Sequence, residues 1–493
     1  MGPRSRGATL AAIAAAVEPH QPVTVAGGEI EVTDVHMDSR VVTPGSLYVA
    51  IRGQRTDGHQ FVESALAAGA VAVAVETAID ESIPHLVTPN TRAVLGWMAA
   101  ETHGHPAREL GVVGITGTNG KTTVAHMLAA MNPDDEPPAA VIGTVSAHLG
   151  DLAVSPRTTP EASDLQRILR HLADSGQVRD VAIEVSSHAM AMGRVTGVEF
   201  DVVAFTNLSQ DHLDYHHTME EYYQAKASLF RAGWAPHGVI WIDDRWGRRL
   251  AEESEIPVVT VGTAADAAVV VTHLQDTATG SRFTINLAGG TVPVQTSLAG
   301  GFNVANAAIA LTCAHLLGAD MDAALAGLRG MQPIPGRYNT VAADSDVWVV
   351  VDYAHTPDAI ASVVAESRKL VAGRTIVVVG AGGDRDREKR PKMGEAAATA
   401  DVAIITTDNP RSEDPNAIID EVVSGIPSGA RFTVVRDRRA AIREALGIAS
   451  PGDAVLILGK GHETSQEFAD RVEHFDDGAV ARQELDRLSG ASA

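Results

Sequence analysis

Short apolar runs recur along most of this chain, each bounded by glycine, proline or polar turn-forming residues. Runs of this kind predict buried β-strands. They occur at residues 47–51, 71–75, 86–87, 110–115, 141–145, 181–185, 202–206, 347–351, 375–379, 402–406 and 454–458. Helix-like stretches such as 62–68, 122–130 and 219–230 separate many of these runs, and the stretch 241–294 reads as further strands extending a sheet. Strands that alternate with helices predict an α/β protein.

An alanine-rich run near the N-terminus carries Leu10, Ile13 and Val17 at positions i, i+3 and i+7. This spacing places the three side chains on one face of an amphipathic helix. Arginines before the run give it a superficial likeness to a secretion signal, but the apolar face favours a packed helix. No apolar run approaches the ~20 residues of a membrane-spanning helix.

Charge and cysteine content narrow the function classes. The chain has 62 acidic and 39 basic residues, which gives a net charge of −23. Broad binding to nucleic acid or to anionic membranes needs a basic surface, so this balance argues against both. The single cysteine, Cys313, excludes an internal disulfide and fits a reducing compartment. We expect a cytoplasmic protein with no nucleic-acid partner and no membrane insertion.

Length and loop composition predict the domain organisation. A chain of 493 residues is long enough for about three domains. A polar segment at 101–108 and a proline- and glycine-rich segment at 331–337 interrupt the alternation of strands and helices. We place boundaries there, which gives domains at residues 1–107, 108–333 and 334–493.

The strongest chemical signal is a glycine loop between a predicted strand and the next helix, Gly117-Thr-Asn-Gly-Lys-Thr122. Its glycines let backbone N–H groups turn inward around phosphate oxygens, and the helix N-terminus adds partial positive charge. Lys121 can reach the β- and γ-phosphates, and the Thr122 hydroxyl can bind Mg²⁺. The loop is tighter than the usual pattern, because Ile115 stands at the first glycine. A turn that binds nothing is the alternative, which Lys-Thr-Thr at the helix start disfavours.

Acidic and polar side chains follow two further strands of the predicted central domain. Glu184 lies inside the apolar run 181–185, where an unpaired carboxylate is costly, so we interpret it as a Mg²⁺ ligand. The alternative is an acid on an edge strand, in contact with solvent. A dense set of Asn, Asp and His at 207–217 follows the strand 202–206, at the end where open α/β sheets place ligands.

Four strands of the last predicted domain also end in polar loops. Those loops are 352–358, 380–386, 408–411 and 459–463. Because the carboxyl ends of parallel strands meet at one edge, these loops predict a substrate crevice. The second loop lacks the third glycine of the dinucleotide fingerprint, so we reject NAD binding.

Seven motifs resemble, in order, those of the Mur ligase family and its folylpolyglutamate synthetase relatives. They are Gly-Thr-Asn-Gly-Lys-Thr-Thr, Glu-Val-Ser-Ser-His, Asp-His-Leu-Asp-Tyr-His, Asp-Tyr-Ala-His-Thr-Pro, Gly-Gly-Asp-Arg-Asp, Asp-Asn-Pro-Arg and Gly-Lys-Gly-His-Glu. The resemblance implies an N-terminal UDP-MurNAc-binding domain, a central ATP-binding P-loop domain and a C-terminal Rossmann-like domain that binds an amino acid. It implies ATP and Mg²⁺ as cofactors.

The resemblance also implies a reaction. The D-glutamate carboxylate of UDP-MurNAc-L-Ala-D-Glu would become an acyl phosphate, which the amine of meso-2,6-diaminopimelate would attack, in peptidoglycan precursor and cell-wall synthesis. L-lysine or LL-diaminopimelate as the amino acid, and a folate-type acceptor, remain alternatives. A nucleotide-regulated binding protein that uses the loop as a switch is a further alternative, which the clustered charged loops of the last domain disfavour.

Roles transferred from the family fall on individual residues. The catalytic residues would be Lys121, Glu184, His212 and Lys226. The metal ligands would be Thr122, Glu184, His212 and Lys226, the last through a carbamylated side chain. ATP would contact Gly117, Thr118, Asn119, Gly120, Lys121, Thr122, Thr123, Asn303, Asn306, Arg337 and Asp352.

The two other substrates have their own expected contacts. The UDP-MurNAc-dipeptide would lie against Ser39, Gln54, Thr158, Thr159, Ser186 and Arg194. The amino acid would lie against Arg385, Asp408, Asn409, Pro410, Arg411, Gly459 and Glu463. Three residues depart from the family pattern, namely Arg157 where Asn is found, Met192 where Gln is found and His217 where Gly is frequent.

Arg411 and Glu463 bear on the choice of amino acid. Diaminopimelate carries a second amino-acid head, so its pocket needs a cation for the far carboxylate and an acid for the far ammonium. Arg411 can offer a two-pronged donor to a carboxylate, and Glu463 can pair with the ammonium. The alternative is that Arg411 only pairs with Glu413 or Asp414 at the surface.

Overall fold

The computed structural model describes residues 7–53, 56–132, 138–149, 157–342 and 346–490. The predicted contact residue Gln54 lies outside these ranges. Within them, strands and helices alternate around three large sheets, which confirms the predicted α/β class.

The first sheet belongs to the N-terminal part of the chain. Its elements are β1 (Ala8–Thr9), α1 (Leu10–Val17), β2 (Thr24–Ala26), β3 (Glu31–Val32), β4 (Asp34–His36), β5 (Ser46–Val49), α2 (Val62–Ala67), β6 (Ala72–Val75), β7 (His85–Val87) and α3 (Thr91–Thr102). Five of the described strands form the sheet, in the order β2-β7-β6-β5-β4. The predicted amphipathic helix is confirmed, since Leu10, Ile13 and Val17 on α1 are all buried.

The second sheet forms the centre of the molecule. Its elements are β8 (Gly111–Thr116), α4 (Lys121–Ala130), β9 (Ala140–Ile142), α5 (Ala162–Ser175), β10 (Asp180–Glu184), α6 (Ser187–Ala191), β11 (Val202–Phe205), α7 (Leu213–His216), α8 (Met219–Ala227), β12 (His237–Trp241), α9 (Arg245–Glu253), β13 (Val258–Gly262), β14 (Val269–Thr277), β15 (Gly280–Leu287), β16 (Gly290–Thr296), α10 (Gly301–Leu316) and α11 (Met321–Gly330). Nine described strands run in the order β16-β15-β14-β13-β12-β11-β8-β10-β9. From β9 to β14 neighbouring strands are parallel, so their carboxyl ends share one edge.

The third sheet is built from the last part of the chain. Its elements are β17 (Asn339–Ala342), β18 (Trp348–Asp352), α12 (Pro357–Leu370), β19 (Thr375–Val379), α13 (Lys389–Ala397), β20 (Val402–Ile405), α14 (Pro415–Val423), β21 (Phe432–Val434), α15 (Arg438–Ile448), β22 (Ala454–Leu458), β23 (Ser465–Glu467), β24 (Val472–His474) and α16 (Asp477–Gly490). The six described strands run β17-β18-β22-β19-β20-β21, and β23 and β24 form a separate antiparallel hairpin. The four strands with polar ends are neighbours and parallel, as the sequence predicts.

Most predicted elements end within two residues of the observed bounds, and three differ by more than that or in type. The strand predicted at 141–145 ends at Ile142, because Gly143 and Thr144 turn towards Glu184. The helix predicted at 219–230 ends at Ala227 and continues as a 3₁₀ turn over Ser228–Phe230. The stretch 241–294, predicted as strands, contains helix α9, which Asp244 caps by accepting a hydrogen bond from Trp246 N.

The predicted domain boundaries remain predictions. The first falls in a 3₁₀ turn, Pro106–Glu109, between the first two sheets. The second falls between α11 and β17, in the segment that leads into the third sheet. Among the described residues, no helix combines the length and apolarity needed to cross a membrane. The thiol of Cys313 is buried in α10, and burial raises its pKa well above the usual value.

A fully buried ion pair joins the last helix, α16, to the first residue of α15. Arg438 donates from Nε and Nη2 to the carboxylate of Asp477 at 2.8 and 2.6 Å, and neither side chain is exposed. Replacing Asp477 by alanine leaves a buried charge unpaired, so we expect the free energy of unfolding to fall by about 3–5 kcal/mol. Denaturant unfolding measures this change. Asp470→Ala is the matched control, because its pair with Arg471 is exposed and its loss is expected to change little.

Candidate active site between the second and third sheets

The glycine loop joins the carboxyl end of β8 to the N-terminus of α4, at the centre of the second sheet. Gly117 and Gly120 have φ of 144° and 88°. A Cβ on Gly117 would lie 1.9 Å from Thr206 Oγ1, and one on Gly120 would lie 2.4 Å from Asn306 Oδ1. Only glycine fits at these two positions, because both the backbone angle and the space exclude a side chain.

The loop is held in shape by the end of β11. Asn207 accepts hydrogen bonds from Thr118 N at 2.9 Å and from Asn119 N at 3.0 Å, and Thr206 Oγ1 donates to Asn119 O at 2.6 Å. Lys121 Nζ donates to Gly117 O and Thr118 O, each at 2.8 Å. Burial lowers the pKa of Lys121, which the nearby Glu184 opposes. The side-chain nitrogen of Lys121 is therefore held against the backbone of its own loop.

Glu184 is an interior acid. It ends β10, which lies between β8 and β9, so the alternative of an edge-strand acid in solvent is wrong. Its Oε1 accepts from Thr122 Oγ1 and from Thr144 N, both at 2.9 Å, and its Oε2 accepts from Thr144 Oγ1 at 3.2 Å. The carboxylate and the Thr122 hydroxyl together offer adjacent hard oxygen atoms.

These oxygen atoms suit Mg²⁺ better than they suit a metal whose ligands all come from the protein. Mg²⁺ usually takes one or two carboxylates and fills its other positions with water and substrate phosphate. Glu184 and Thr122 provide that kind of partial set beside the glycine loop. Among the described residues, no group of three or more His, Cys, Asp or Glu side chains is placed to hold a metal.

Lys226 lies directly beneath the loop. Its side chain is 1% exposed, and its Nζ donates to Gly117 O at 2.7 Å. Burial, together with the charge of Lys121, holds the pKa of Lys226 well below its usual value. A lower pKa raises the neutral fraction of a lysine, and the neutral amine is the form that reacts with CO₂ to give a carbamate.

A cluster of charged groups bridges the second and third sheets. Asp211 contacts Lys389 Nζ at 3.2 Å, His212 Nε2 at 3.4 Å and His355 Nε2 at 3.7 Å. Burial acts to raise the pKa of Asp211, but His212 and Lys389 outweigh it and hold the pKa well below the usual value. Desolvation lowers the pKa of His212 to about 3, although Asp211 opposes the shift, and a neutral imidazole is the form that binds a metal.

Hydroxyl groups and an arginine line the crevice beside Glu184. Thr159 Oγ1 donates to Glu184 O at 2.7 Å and lies 3.3 Å from Ser186 Oγ, and Thr158 lies at the crevice surface. Arg194 pairs with the buried Glu161 at 3.1 Å. Ser39 is half-buried and does not line this crevice, so the structure does not bring it together with the other predicted substrate contacts.

The third sheet reaches the loop through Arg337. Its Nη2 donates to Thr122 Oγ1 at 2.9 Å, and its guanidinium lies over the ring of Tyr353. Asp352 accepts from Tyr338 N and Ala354 N, and burial raises its pKa, which Arg337 opposes. Arg337 beside the third sheet and Thr122 beside the second sheet, both predicted ATP contacts, are therefore in direct contact.

The predicted amino-acid contacts lie at the carboxyl ends of β19, β20 and β22. Asn409 Nδ2 donates to Glu463 Oε2 at 2.7 Å, and its Oδ1 accepts from the fully buried Lys460 at 2.9 Å. Burial, with the nearby charge of Asp408, raises the pKa of Glu463. Arg411 pairs with Glu467 at 3.0 Å and not with Glu413 or Asp414, so the partners named in the surface-pair alternative are wrong. Arg411 also lines the crevice.

One cavity of about 1180 Å³ connects these groups. Most of the predicted contacts line it, namely Thr118, Asn119, Gly120, Lys121, Thr122, Thr123, Thr158, Glu184, Ser186, Arg194, His212, Asn303, Asn306, Arg337, Asp352, Arg385, Asp408, Asn409, Arg411, Gly459 and Glu463. Gly117, Thr159, Lys226 and Pro410 lie behind this lining.

The sequence interpretation omitted several residues that shape the crevice. Thr144 binds Glu184, and Asp211 and Lys389 join the two sheets. Asp211 could have been predicted, because it is the first residue of the motif Asp-His-Leu-Asp-Tyr-His. Thr144 and Lys389 have no feature in the local sequence that distinguishes them. His217 has φ of 58°, a left-handed conformation that suits the glycine frequent there in the family.

The fold and the crevice define a multidomain α/β enzyme, in which the glycine loop and the polar loops of the third sheet line one cavity. Three family descriptions match the chain: "Mur ligase family, catalytic domain" at 31–103, "Mur ligase middle domain" at 115–314 and "Mur ligase, glutamate ligase domain" at 336–461. The chain belongs to the Mur ligase family, and the expected three-part architecture is confirmed.

Two relatives are similar over nearly the whole chain. Each is named UDP-N-acetylmuramoyl-L-alanyl-D-glutamate–2,6-diaminopimelate ligase. The protein from Geobacillus thermodenitrificans is 41% identical, covering 92% of this chain and 95% of its own length. The protein from Streptomyces coelicolor is 42% identical, covering 95% of each chain.

Solved structures show the same fold. A structure of a ligase with that name matches with a TM-score of 0.68 at 33% identity, over 98% of this chain and 99% of its own. The MurF ligase of Thermotoga maritima, solved in complex with ADP, matches with a TM-score of 0.64 at 19% identity, over 94% of this chain and 99% of its own.

Proposed function

We propose that this chain uses ATP to join 2,6-diaminopimelate to the D-glutamate carboxylate of UDP-MurNAc-L-Ala-D-Glu. The observation that carries the proposal is that one crevice is lined both by the glycine loop with Lys121 and by Arg411 and Glu463 of the third sheet. Relatives that match nearly the whole chain are named for this ligation. The proposal includes action in the cytoplasm, as a monomer, on small-molecule substrates.

The first half of the reaction is phosphoryl transfer. A carboxylate oxygen of D-glutamate bonds to the γ-phosphorus of ATP, and the bond to the bridging oxygen breaks to release ADP. The glycine loop and Lys121 hold the phosphates and stabilise the negative charge that develops on them. Arg337, which reaches Thr122 from the third sheet, adds positive charge at the same place.

Thr122 and Glu184 are the residues that would hold Mg²⁺, with His212 and a carbamylated Lys226 as candidates for a second ion. When bound, Mg²⁺ supplies positive charge against the phosphate oxygens. Thr144 orients the Glu184 carboxylate through two hydrogen bonds, so its oxygens have a fixed direction before any ligand binds. Thr158, Thr159, Ser186 and Arg194 would hold the dipeptide, with Ser39 nearer the uracil.

The second half of the reaction is acyl transfer. The neutral amine of diaminopimelate attacks the acyl carbon, a C–N bond forms, and phosphate leaves as the amine loses a proton. Arg385, Asp408, Asn409, Pro410, Arg411, Gly459 and Glu463 would hold this amino acid. The contact of Lys389 with Asp211 keeps the third sheet against the second, which limits water near the acyl phosphate.

Product formation tests the proposal directly. Purified protein, ATP, Mg²⁺, UDP-MurNAc-L-Ala-D-Glu and diaminopimelate are expected to give the UDP-tripeptide, detected by mass, and one phosphate for each ligation. Phosphate release that needs neither the acceptor nor the amino acid would instead indicate a nucleotide switch. Release with a folate-type acceptor in place of the dipeptide would indicate the folylpolyglutamate alternative.

Arg411 is expected to determine whether the enzyme prefers diaminopimelate or L-lysine as its amino-acid substrate. A site built for the far carboxylate rejects analogues that lack it, because its own groups are then left unpaired. We expect diaminopimelate to be used far better than L-lysine, and Arg411→Ala to lower kcat/KM for diaminopimelate about 10- to 100-fold, chiefly through KM.

The measurement is kcat/KM for both amino acids with the wild-type chain and the variant. Arg471→Ala is the control, because Arg471 is exposed and its described ion pairs are with Asp470 and Glu473, which are close to it in sequence. Equal use of lysine by the wild-type chain would contradict the assignment. The meso and LL isomers are compared in the same assay, since both present the same charges.

A further inference from the structure

The β23–β24 hairpin supports the loop that carries Arg411. Arg411 N donates to Glu467 O at 3.0 Å, and Glu467 N donates to Asn409 Oδ1 at 3.0 Å. The buried amide of Gln466 donates to Asp408 O at 2.8 Å. The hairpin is therefore bound to three positions of the 408–411 loop, although more than fifty residues separate the two in sequence.

The side chain of Arg411 is held at two points. Its Nε donates to Glu467 Oε2 at 3.0 Å, and its Nη1 donates to Gly383 O at 2.8 Å. A guanidinium has five N–H groups in a fixed plane, so these two contacts fix its orientation and leave three N–H groups for other partners. Because Arg411 lines the crevice, its remaining N–H groups on Nη1 and Nη2 are available to a carboxylate there.

The second anchor is itself rigid. Gly383 N donates to Asn409 O at 2.8 Å, and a Cβ on Gly383 would lie 1.9 Å from Pro410 O. The fully buried Arg390 donates to Gly382 O at 3.1 Å and pairs with Glu413. Because this side of Arg411 is fixed by backbone, the Glu467 carboxylate is the adjustable contact that decides where the guanidinium points.

We propose that Glu467 is a positioning residue that aims Arg411 at the far carboxylate of the amino acid and so sets the preference for diaminopimelate over lysine. This role rests on the proposed function. The Glu467 side chain is 44% exposed, so charge attraction across the pair is weak and the hydrogen-bond geometry carries the effect.

A carboxylate beside Arg411 could act in the opposite way, by competing with the substrate. The two roles predict different results for glutamine, which keeps an oxygen acceptor of the same reach but has no charge. If Glu467 aims Arg411, Glu467→Gln keeps the preference and Glu467→Ala loses it. If Glu467 competes, both variants bind diaminopimelate more tightly.

The experiment measures kcat and KM for diaminopimelate and L-lysine with Glu467→Ala, Glu467→Gln and Glu473→Ala. Glu473 is the matched control, because it lies on the other strand of the same hairpin, is exposed and pairs with Arg471. We expect Glu467→Ala to raise KM for diaminopimelate about fivefold or more, with little change in kcat or in KM for lysine. Glu467→Gln and Glu473→Ala should stay close to wild type.

Several results would overturn this role. They are equal kinetics for all three variants, a lower KM for diaminopimelate in either Glu467 variant, and a fall in kcat with both amino acids at unchanged KM. A wild-type chain that does not use diaminopimelate overturns both this role and the proposed function. A wild-type chain that does use it, with an unchanged Glu467→Ala variant, overturns this role alone.

Discussion

Replacing Lys121 with alanine is expected to abolish ligation and leave the fold intact. The Nζ of Lys121 contacts only carbonyl oxygens of its own loop, Gly117 O and Thr118 O, in the hydrogen bonds that the structure describes for it. Its loss removes a positive charge at the phosphates and little packing. Groups that stabilise charge in this way contribute roughly 10²–10³ in rate, or more where they act with a metal.

The measurement is steady-state ligation, with circular dichroism and a thermal unfolding midpoint to show that the variant is folded. Lys369→Ala is the control, because that lysine is exposed and pairs with a neighbour on its own helix. Turnover of Lys121→Ala near the wild-type rate would show that the glycine loop does not bind the reacting phosphates.

Lys226→Ala is expected to be nearly inactive and to regain part of its activity with added formate or acetate. The amine is 1% exposed, and burial together with Lys121 lowers its pKa, which raises the fraction of the neutral amine that attacks CO₂. The lysine nitrogen forms a bond to the carbon of CO₂ and loses one proton. The product is a carbamate anion beneath the loop. A small carboxylate can take the place of that anion once the side chain is removed.

Lys226→Met separates charge from packing, because it keeps most of the volume and cannot form a carbamate. We expect it to be as inactive as the alanine variant and better folded, with weaker rescue because less space is opened. Isotopically labelled bicarbonate gives a carbamate carbon signal in the wild-type chain only. An active enzyme whose Lys226 stays unmodified under assay conditions would rule out this role.

Features of this structure that depend on neighbouring residues could be predicted from the sequence. Apolar runs such as 375–379 and 454–458 become strands with those same bounds, because a buried parallel strand must be apolar on both faces. The glycine loop is equally local, since Gly117 and Gly120 are required by backbone angle and by space. Loops at the ends of parallel strands could be placed at one edge for the same topological reason.

Contacts between distant segments were beyond sequence reasoning. Thr144 reaches Glu184 because the strand predicted at 141–145 stops early, and strand ends are poorly defined by apolar patterning alone. Lys389 looks like an ordinary helical lysine until the third sheet packs on the second and brings it to Asp211. The partner of Arg411 was sought two or three residues away and lies at Glu467, on a hairpin too short to be seen in the sequence.

Because Cys313 is buried, fluorescent dyes can be attached to cysteines introduced elsewhere without labelling the native thiol. It is the single cysteine of the chain, and it lies in the core with no exposed surface. Two cysteines introduced at exposed positions, such as Glu252 on α9 and Glu444 on α15, would therefore react with fluorophores while the native thiol stays unlabelled. Energy transfer between the two dyes would then report whether the distance between α9 and α15 changes as each substrate binds.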